Sequence, residues 1–339
     1  MKKFLLKLSY TILPLWLSAV GLVLFYNVYI VPNMQGDLGR LGKMPTKLFY
    51  KQPTDVSMPD TLFYDLTETK MLKNTCMDIL VCGDSFSKQK ENGYLNYMAK
   101  KGYAVFNYVS QDAGNPFQAA YNLMHFNYID STVVKTLIIE TVERALVNRI
   151  KNIEFDKDIW SSDGKSEGKS LPKSHSPLIE VKNFLLFQLG KDNPVYHLKL
   201  NKTMFSSSRG NDLYVYYEDV KSIMSMTDTI PVTIKSNIER LFAEAENRHI
   251  NLILLVCPDK YDLYQDFIID NLYPAKTINE DLRAVVGKTN KIVIGKEILL
   301  PYINKEKDLY IWDDTHWSYK SAKIIADTLV SIIKEQNNM

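Results

Sequence analysis

The chain predicts an α/β fold built on a mostly parallel central sheet, carried behind one N-terminal transmembrane helix and interrupted by a mid-chain insertion. Three observations lead there. Apolar runs of strand length alternate with helix-length periodic segments, first over residues 76–150 and again from about 230 onward. That alternation is the pattern of βαβ units. Residues 10–31 form one apolar run without a charge, and periodicity is lost over 32–75 and again over about 151–230.

The N-terminus is read first. Lys2, Lys3 and Lys7 precede the apolar run from Tyr10 to Val31, which is long enough to cross a hydrocarbon core of ~30 Å. A cleaved signal peptide would have a shorter apolar core and a small-x-small exit site. Here the run ends in Tyr26-Asn27-Val28-Tyr29, an aromatic belt of the kind found at membrane interfaces. The expectation is an uncleaved single-pass anchor, with residues 1–9 as a basic cytoplasmic N-terminus. Everything after Pro32 is then expected outside the inner membrane. Residues 32–75 carry Pro32, Gly36, Gly39, Gly42, Pro45, Pro53 and Pro59, and read as a spacer holding the domain off the membrane.

The domain proper, 76–339, follows in order. Ile79 to Cys82 is a strand, Gln89 to Lys100 a helix closed by Gly102, and Tyr103 to Val109 a strand. Pro116 to Phe126 is a helix with proline in its first turn, and Thr136 to Val142 a strand. The insertion opens with a polar stretch, Ser161 to Ser170, then an apolar helix over Pro177–Leu189 and a tyrosine-rich segment, Leu213–Tyr217. Long insertions in compact domains are usually functional lids or loops, so this one is expected to shape an acceptor groove over the strand ends. Alternation resumes with the helix Val232–Asn247, strand Asn251–Cys257, helix Tyr261–Asn271 and strand Ile292–Ile294. The last helix, Tyr319–Lys334, places Ala322, Ile325, Ala326, Leu329, Ile332 and Ile333 on one face.

Bulk properties exclude more than they select. At 339 residues the chain holds one large domain with appendages, or two small ones. The 41 basic and 39 acidic residues leave a net charge of +2, without the basic footprint that nucleic acid requires. Three cysteines, Cys76, Cys82 and Cys257, imply no disulfide framework. No G-x-x-x-x-G-K-[ST] and no C-x-x-C occurs, and His125, His175, His197 and His249 fall in no metal-like spacing. No cofactor and no metal are expected.

Two short strings carry the chemistry. Cys82-Gly83-Asp84-Ser85-Phe86-Ser87 places a serine just after an apolar strand, where a helix is expected to begin. Trp312-Asp313-Asp314-Thr315-His316-Trp317-Ser318 places a histidine two and three residues after carboxylates, ahead of a helix capped by Ser318. A serine hydroxyl becomes a nucleophile when a base takes its proton, and that base is oriented by a carboxylate. Both strings lie at strand ends, where open α/β sheets build their sites. Alone, Ser85 would read as a helix N-cap; with the second string it reads as nucleophile, with His316 as base. A helix starting after Ser85 would offer backbone N–H groups to an oxyanion. Asp84 is expected to brace the turn.

The pair also resembles a known family. GDSF followed far downstream by D-x-x-H is similar to the SGNH (GDSL-like) hydrolase superfamily. The string Asp314-Thr315-His316-Trp317 is similar to the alginate-type polysaccharide O-acetyltransferases and their relatives in bacterial cell envelopes. Ile138-Ile139-Glu140-Thr141-Val142-Glu143-Arg144 resembles that group's strand ending in Glu-Arg, and Pro258-Asp259-Lys260-Tyr261 its P-x-K segment. The resemblance covers roughly residues 75–335 with an unmatched middle. It implies an SGNH-type three-layer sandwich and acyl transfer through an acyl-serine. It also implies an acetyl group, a polysaccharide acceptor, and a separate multipass membrane acyltransferase as donor. The orienting carboxylate stays open: D-x-x-H spacing selects Asp313, and D-T-H-W selects Asp314, which is slightly favoured. Gly114, with Asn115, sits where the family's second oxyanion block belongs. The G-x-N-D third block is missing, and Glu140 to Arg144 stands in its place. Arg144 is a candidate for holding a carboxylate or orienting the acceptor, with a salt bridge to Glu143 or Glu140 as the plain alternative. Lys260 is a weaker candidate site residue. Two other functions share these residues: a carbohydrate esterase or lipase, and a noncatalytic glycan-binding assembly factor.

Overall fold

The computed structural model describes residues 2–67, 72, 75–109, 114–160, 181–182, 184–186, 189, 194–224, 232–275, 278–286 and 291–337. Helix α1 (Lys2–Phe25) continues as a wider turn over Tyr26–Ile30 and a tighter one over Val31–Asn33. Within it Ser9–Asn33 is long and apolar enough to cross a membrane. At 1.5 Å per residue those 25 residues reach ~37 Å, beyond a ~30 Å core. Tyr10, Leu15, Trp16, Leu24 and Val28 are all exposed on it, which a soluble protein's core helix would not show. Its last turns do pack: Tyr26 and Ile30 are buried with Val181 and Phe184.

After α2 (Asp37–Leu41) and β1 (Tyr64–Leu66), the alternating unit begins with β2 (Met77–Cys82), α3 (Tyr94–Lys100), β3 (Val105–Tyr108) and α4 (Pro116–His125). It continues through β4 (Val134–Val142) and α5 (Glu143–Lys151). The insertion supplies an antiparallel hairpin, β5 (Val195–Lys199) and β6 (Asp212–Tyr216), followed by α6 (Tyr217–Met224). Then come α7 (Val232–Asn247), β7 (Asn251–Cys257), α8 (Lys260–Tyr264), α9 (Ile278–Val286), β8 (Ile292–Ile294), α10 (Gly295–Leu299) and α11 (Tyr319–Asn337). The main sheet runs β1-β3-β2-β4-β7-β8, and all its pairings are parallel. Setting aside the edge strand β1, this is the 2-1-3-4-5 order of a doubly wound sheet. Its switch point lies between β2 and β4, where such sheets place their ligands beyond the strands' carboxyl ends.

Strand residues alternate between two cores. On β2, Ile79 and Val81 face one core and Met77, Leu80 and Cys82 the other; β7 splits the same way. Helices α3 and α11 cover the first face, α4, α5 and α7 the second. The apolar stripe of α11 (Ala322, Ile325, Ala326, Leu329, Ile333) is fully buried. Truncating a leucine such as Leu329 to alanine at such a place costs about 2–5 kcal/mol.

Several expectations need adjusting. Helix α3 starts at Tyr94, not Gln89, because Lys90 takes a left-handed backbone (φ 48°) and breaks the run into short turns. Helix α8 stops at Tyr264, not Asn271. The following chain instead turns to hydrogen-bond the hairpin, Asn201 N–H to Phe267 O and Ile269 N–H to Lys199 O. The polar stretch Ser161–Ser170 lies outside the described residues, as does much of Pro177–Leu189, of which 181–182 and 184–186 are helical. The largest change concerns 32–75. This segment is no stand-off spacer: Leu38, Tyr50, Met58 and Phe63 are buried in the main core, and β1 extends the sheet.

Candidate active site

Ser85 stands at the third position past β2, in a turn pinned from β4. The Glu140 carboxyl, fully buried, accepts the N–H of Asp84 (3.0 Å) and of Ser87 (3.1 Å) through Oε2. Asp84 accepts the N–H of Phe86 (3.2 Å) and Val142 (2.9 Å), and takes Arg149 Nη1 at 2.5 Å. Gly83 is required here, since a Cβ would lie 2.5 Å from Glu140 Oε2. Burial and the neighbouring Asp84 charge push Glu140 well above the usual carboxylate range. Burial works the same way on Asp84, but the Glu140 and Arg149 contacts outweigh it and hold Asp84 low. Of the two carboxyls, Glu140 is therefore the one that takes up a proton first.

The Ser85 side chain caps nothing and is exposed. Only short turns follow it, so the expected helix N-terminus is not the source of oxyanion donors. What the turn does offer is the N–H of Ser85 itself, which has no acceptor among the described residues, while those of Asp84, Phe86 and Ser87 are taken.

His316 sits on a folded-back loop in which Tyr310 bridges to Trp317. Trp312 Nε1 ties the loop to the hairpin through Asp212 O (2.9 Å), and Ser318 Oγ accepts the Lys320 N–H (3.2 Å) to cap α11. The imidazole packs on Phe86, ring centroids 4.9 Å apart. Its Nδ1 lies 2.6 Å from Asp314 Oδ1. A carboxylate only accepts, so Nδ1 carries the proton and Nε2 is left as acceptor. Nε2 is buried and has no hydrogen-bond partner among the described residues. Burial alone would lower the histidine's pKa, but the hydrogen bond and charge of Asp314, with Asp37 and Asp84 beyond, raise it. Asp314 is held below its usual range by the same pairing, against its own burial.

Asp313 faces the other way. It is fully buried, accepts from Gln52 Nε2 at 3.4 Å, and burial raises its pKa. Of the two aspartates, the one on the imidazole is Asp314.

Ser85 and His316 share a cavity of about 390 Å³ with Asp37, Arg40, Leu41, Arg144, Tyr216 and Thr315. Their Oγ and Nε2 are not hydrogen-bonded here; such gaps are common without substrate and close in the reacting complex. Beyond Ser85 lies a second cavity of about 330 Å³, reaching Lys88, Gly114, Asn115, Arg144 and Arg149. A third, about 410 Å³, continues past Gly114, Asn115 and Arg149 to Asn148, Asn152 and Glu154.

Two candidate residues do other work. Lys260 does not reach these cavities. It is buried beneath the loop, donating to Ile311 O (2.9 Å), Trp312 O (2.6 Å) and Asp314 O (3.2 Å), and burial pushes its pKa down to about 7. Asn115 lines the second cavity, but both ends of its amide are engaged: Oδ1 caps α4 at Phe117 N (3.1 Å) and Nδ2 donates to Arg149 O (2.8 Å). Gly114 (φ 42°) lines the same cavity with open space at its Cα. Arg144 pairs with Asp259 (2.8 Å) and Asp219 (3.1 Å), not with Glu140 or Glu143, and lies over the Tyr216 ring.

Sequence reasoning passed over Asp37, Arg149 and Tyr216. Arg149 could have been found one turn and a half past Arg144 on the same helix; nothing local marks Asp37. Carboxylate oxygens of Asp37 and Asp314 and a ring nitrogen of His316 lie within 4.8 Å of one another, the spacing a cation would use. The same two residues, His316 and Asp314, are engaged in the Nδ1–Oδ1 hydrogen bond. No protein-family model matches the chain, and no curated protein or solved structure matches it.

Proposed function

We propose that the protein is a membrane-anchored, extracytoplasmic O-acyltransferase of SGNH type that moves an acetyl group onto a cell-envelope or exported polysaccharide. The observation that carries this reading is the His316–Asp314 pair, whose imidazole lines a cavity shared with the exposed Ser85 and whose Nε2 has no hydrogen-bond partner among the described residues. In the first half-reaction Ser85 Oγ attacks the donor's ester carbonyl while Nε2 takes the hydroxyl proton, then returns it to the leaving oxygen. In the second, Nε2 takes the proton of an acceptor hydroxyl, whose oxygen attacks the acyl carbon; Ser85 Oγ leaves and regains the proton. Asp314 holds the tautomer that makes both transfers possible. The Ser85 N–H serves the oxyanion.

Two features support a polymer acceptor met at a membrane. The three cavities share lining residues in series, so a chain can lie across Ser85 and be modified at an internal hydroxyl. Asn33 ends the apolar span and Asp37 is four residues on, at most ~14 Å of chain. Leu185 and Leu189 are exposed near the part of the insertion that packs on the anchor. A multipass membrane acyltransferase delivering acetyl from the cytoplasm would reach such a site. Hydrolysis is the second reading, favoured by the exposure of Ser85, which admits water as acceptor. Incubating the full-length protein with a small acetyl ester, with and without envelope polysaccharide, separates the two. Acetylated glycan marks a transferase. Acetate release unaffected by glycan marks an esterase and overturns the transferase reading.

A further inference from the structure

We propose that the juxtamembrane segment Gly36–Gly39 is part of the catalytic machinery, with Asp37 a positioning residue that holds the His316–Asp314 pair from the anchor's side. This rests on the reading of His316 as base. Three backbone groups of the segment grip the loop that bears the pair. The Asp37 N–H donates to Asp314 Oδ2 (3.0 Å), and the N–H groups of Leu38 and Gly39 both donate to Asp313 O (3.0 and 3.1 Å). Asp314 thus gives Oδ1 to His316 and Oδ2 to the segment, so its plane is set from two sides.

The fit leaves no slack. Gly36 has φ 64°, and a Cβ there would stand 2.1 Å from Asp313 O. Leu38 is fully buried and anchors the segment. The Asp37 side chain then comes to the imidazole itself: Oδ2 is 3.4 Å from Nδ1 and accepts from Thr315 Oγ1 (3.4 Å), while Oδ1 pairs with Arg40 at 2.6 Å. The imidazolium formed at each proton transfer therefore faces two carboxylates, one on its own loop and one on the anchor's continuation. Asp84 adds a third, more distant charge, and Arg40 and Arg144 on the cavity wall oppose them. Only three residues separate Asn33, the end of the apolar span, from Asp37, so the base and the membrane helix are mechanically joined. The tether length is also the site's geometry.

The test uses full-length protein in detergent with ring-labelled histidine, the His316 resonance being assigned by His316→Asn. Asp37→Asn keeps the backbone N–H and removes only the charge. Its His316 titration midpoint is expected to move to lower pH, and Asp37→Glu to lie nearer the wild type. Gly36→Ala, which pushes the segment off Asp313, is expected to lower ester turnover on the order of 10-fold to 10²-fold, as ångström-scale misplacement does. An unmoved midpoint in Asp37→Asn, or full turnover in Gly36→Ala, overturns the proposal. The titration reads Asp37 whether or not His316 is the base. Full activity of His316→Asn would instead sink the function proposed above.

Discussion

Asp313 and Asp314 are neighbours in sequence and face opposite sides of the loop. Asp314 Oδ1 holds the imidazole at 2.6 Å, whereas Asp313 is buried with a raised pKa toward Gln52. Asp314→Asn should therefore lower kcat/KM by on the order of 10³-fold or more, because an amide cannot hold the productive tautomer. Asp313→Asn, near-isosteric and turned away from the imidazole, should cost far less; an equal loss in both variants would contradict this assignment. The pH profile follows from the same contacts. His316 must be neutral to accept a proton, and its pKa is raised by Asp314 and Asp37. The acid limb of kcat/KM should then lie above the ordinary histidine value of about 6.5, and Asp314→Asn should bring the residual limb down. A limb at or below that value would argue that another group titrates. The serine, the histidine and a flanking carboxylate were legible as candidates because the proposed chemistry demands those types. Which aspartate serves was not, since two adjacent residues in a loop have no periodicity to sort them.

At the scale of elements, the Ser85 turn depends on a carboxyl from the neighbouring strand β4. Glu140 Oε2 meets two backbone N–H groups that bond to no other acceptor among the described residues. Glu140→Ala would strand both, at about 1–3 kcal/mol each, and should lower unfolding stability by about 2–6 kcal/mol. Glu140→Gln keeps a carbonyl oxygen and mimics the protonated acid, so it should stay close to wild type. Denaturant unfolding separates them, and a destabilised glutamine variant would mean the carboxyl is ionised in the fold. Strands β2, β4, β7 and β8 and helices α4, α7 and α11 were legible, since uniform apolar runs and one-sided stripes leave few alternatives. The short α2 and α10 and the truncated α3 and α8 were not: a left-handed Lys90 breaks the run ahead of α3, and hydrogen bonds to the hairpin take over the chain beyond α8.

Over the whole molecule, the stretch that sequence presents as a linker wraps the domain and reaches its site. Glycines and prolines suggested a tether; Leu38, Tyr50, Met58 and Phe63 instead enter the core, and such sparse apolar residues show no period to announce it. If the apolar helix is an uncleaved anchor, the protein should fractionate with membranes and retain its N-terminal residues. A periplasmic reporter fused after residue 60 should then be active. A soluble form beginning near residue 30 would contradict the anchor and free the segment that grips Asp314 from the membrane. The central claim, that Ser85 carries the acyl group, is tested most directly by mass spectrometry of the full-length protein quenched after exposure to a small acetyl ester. Acetyl on the peptide containing Ser85, lost in Ser85→Ala and strongly reduced in His316→Ala, is the expected result. Turnover of the ester with no acyl group ever found on Ser85, or turnover undiminished in Ser85→Ala, would contradict it.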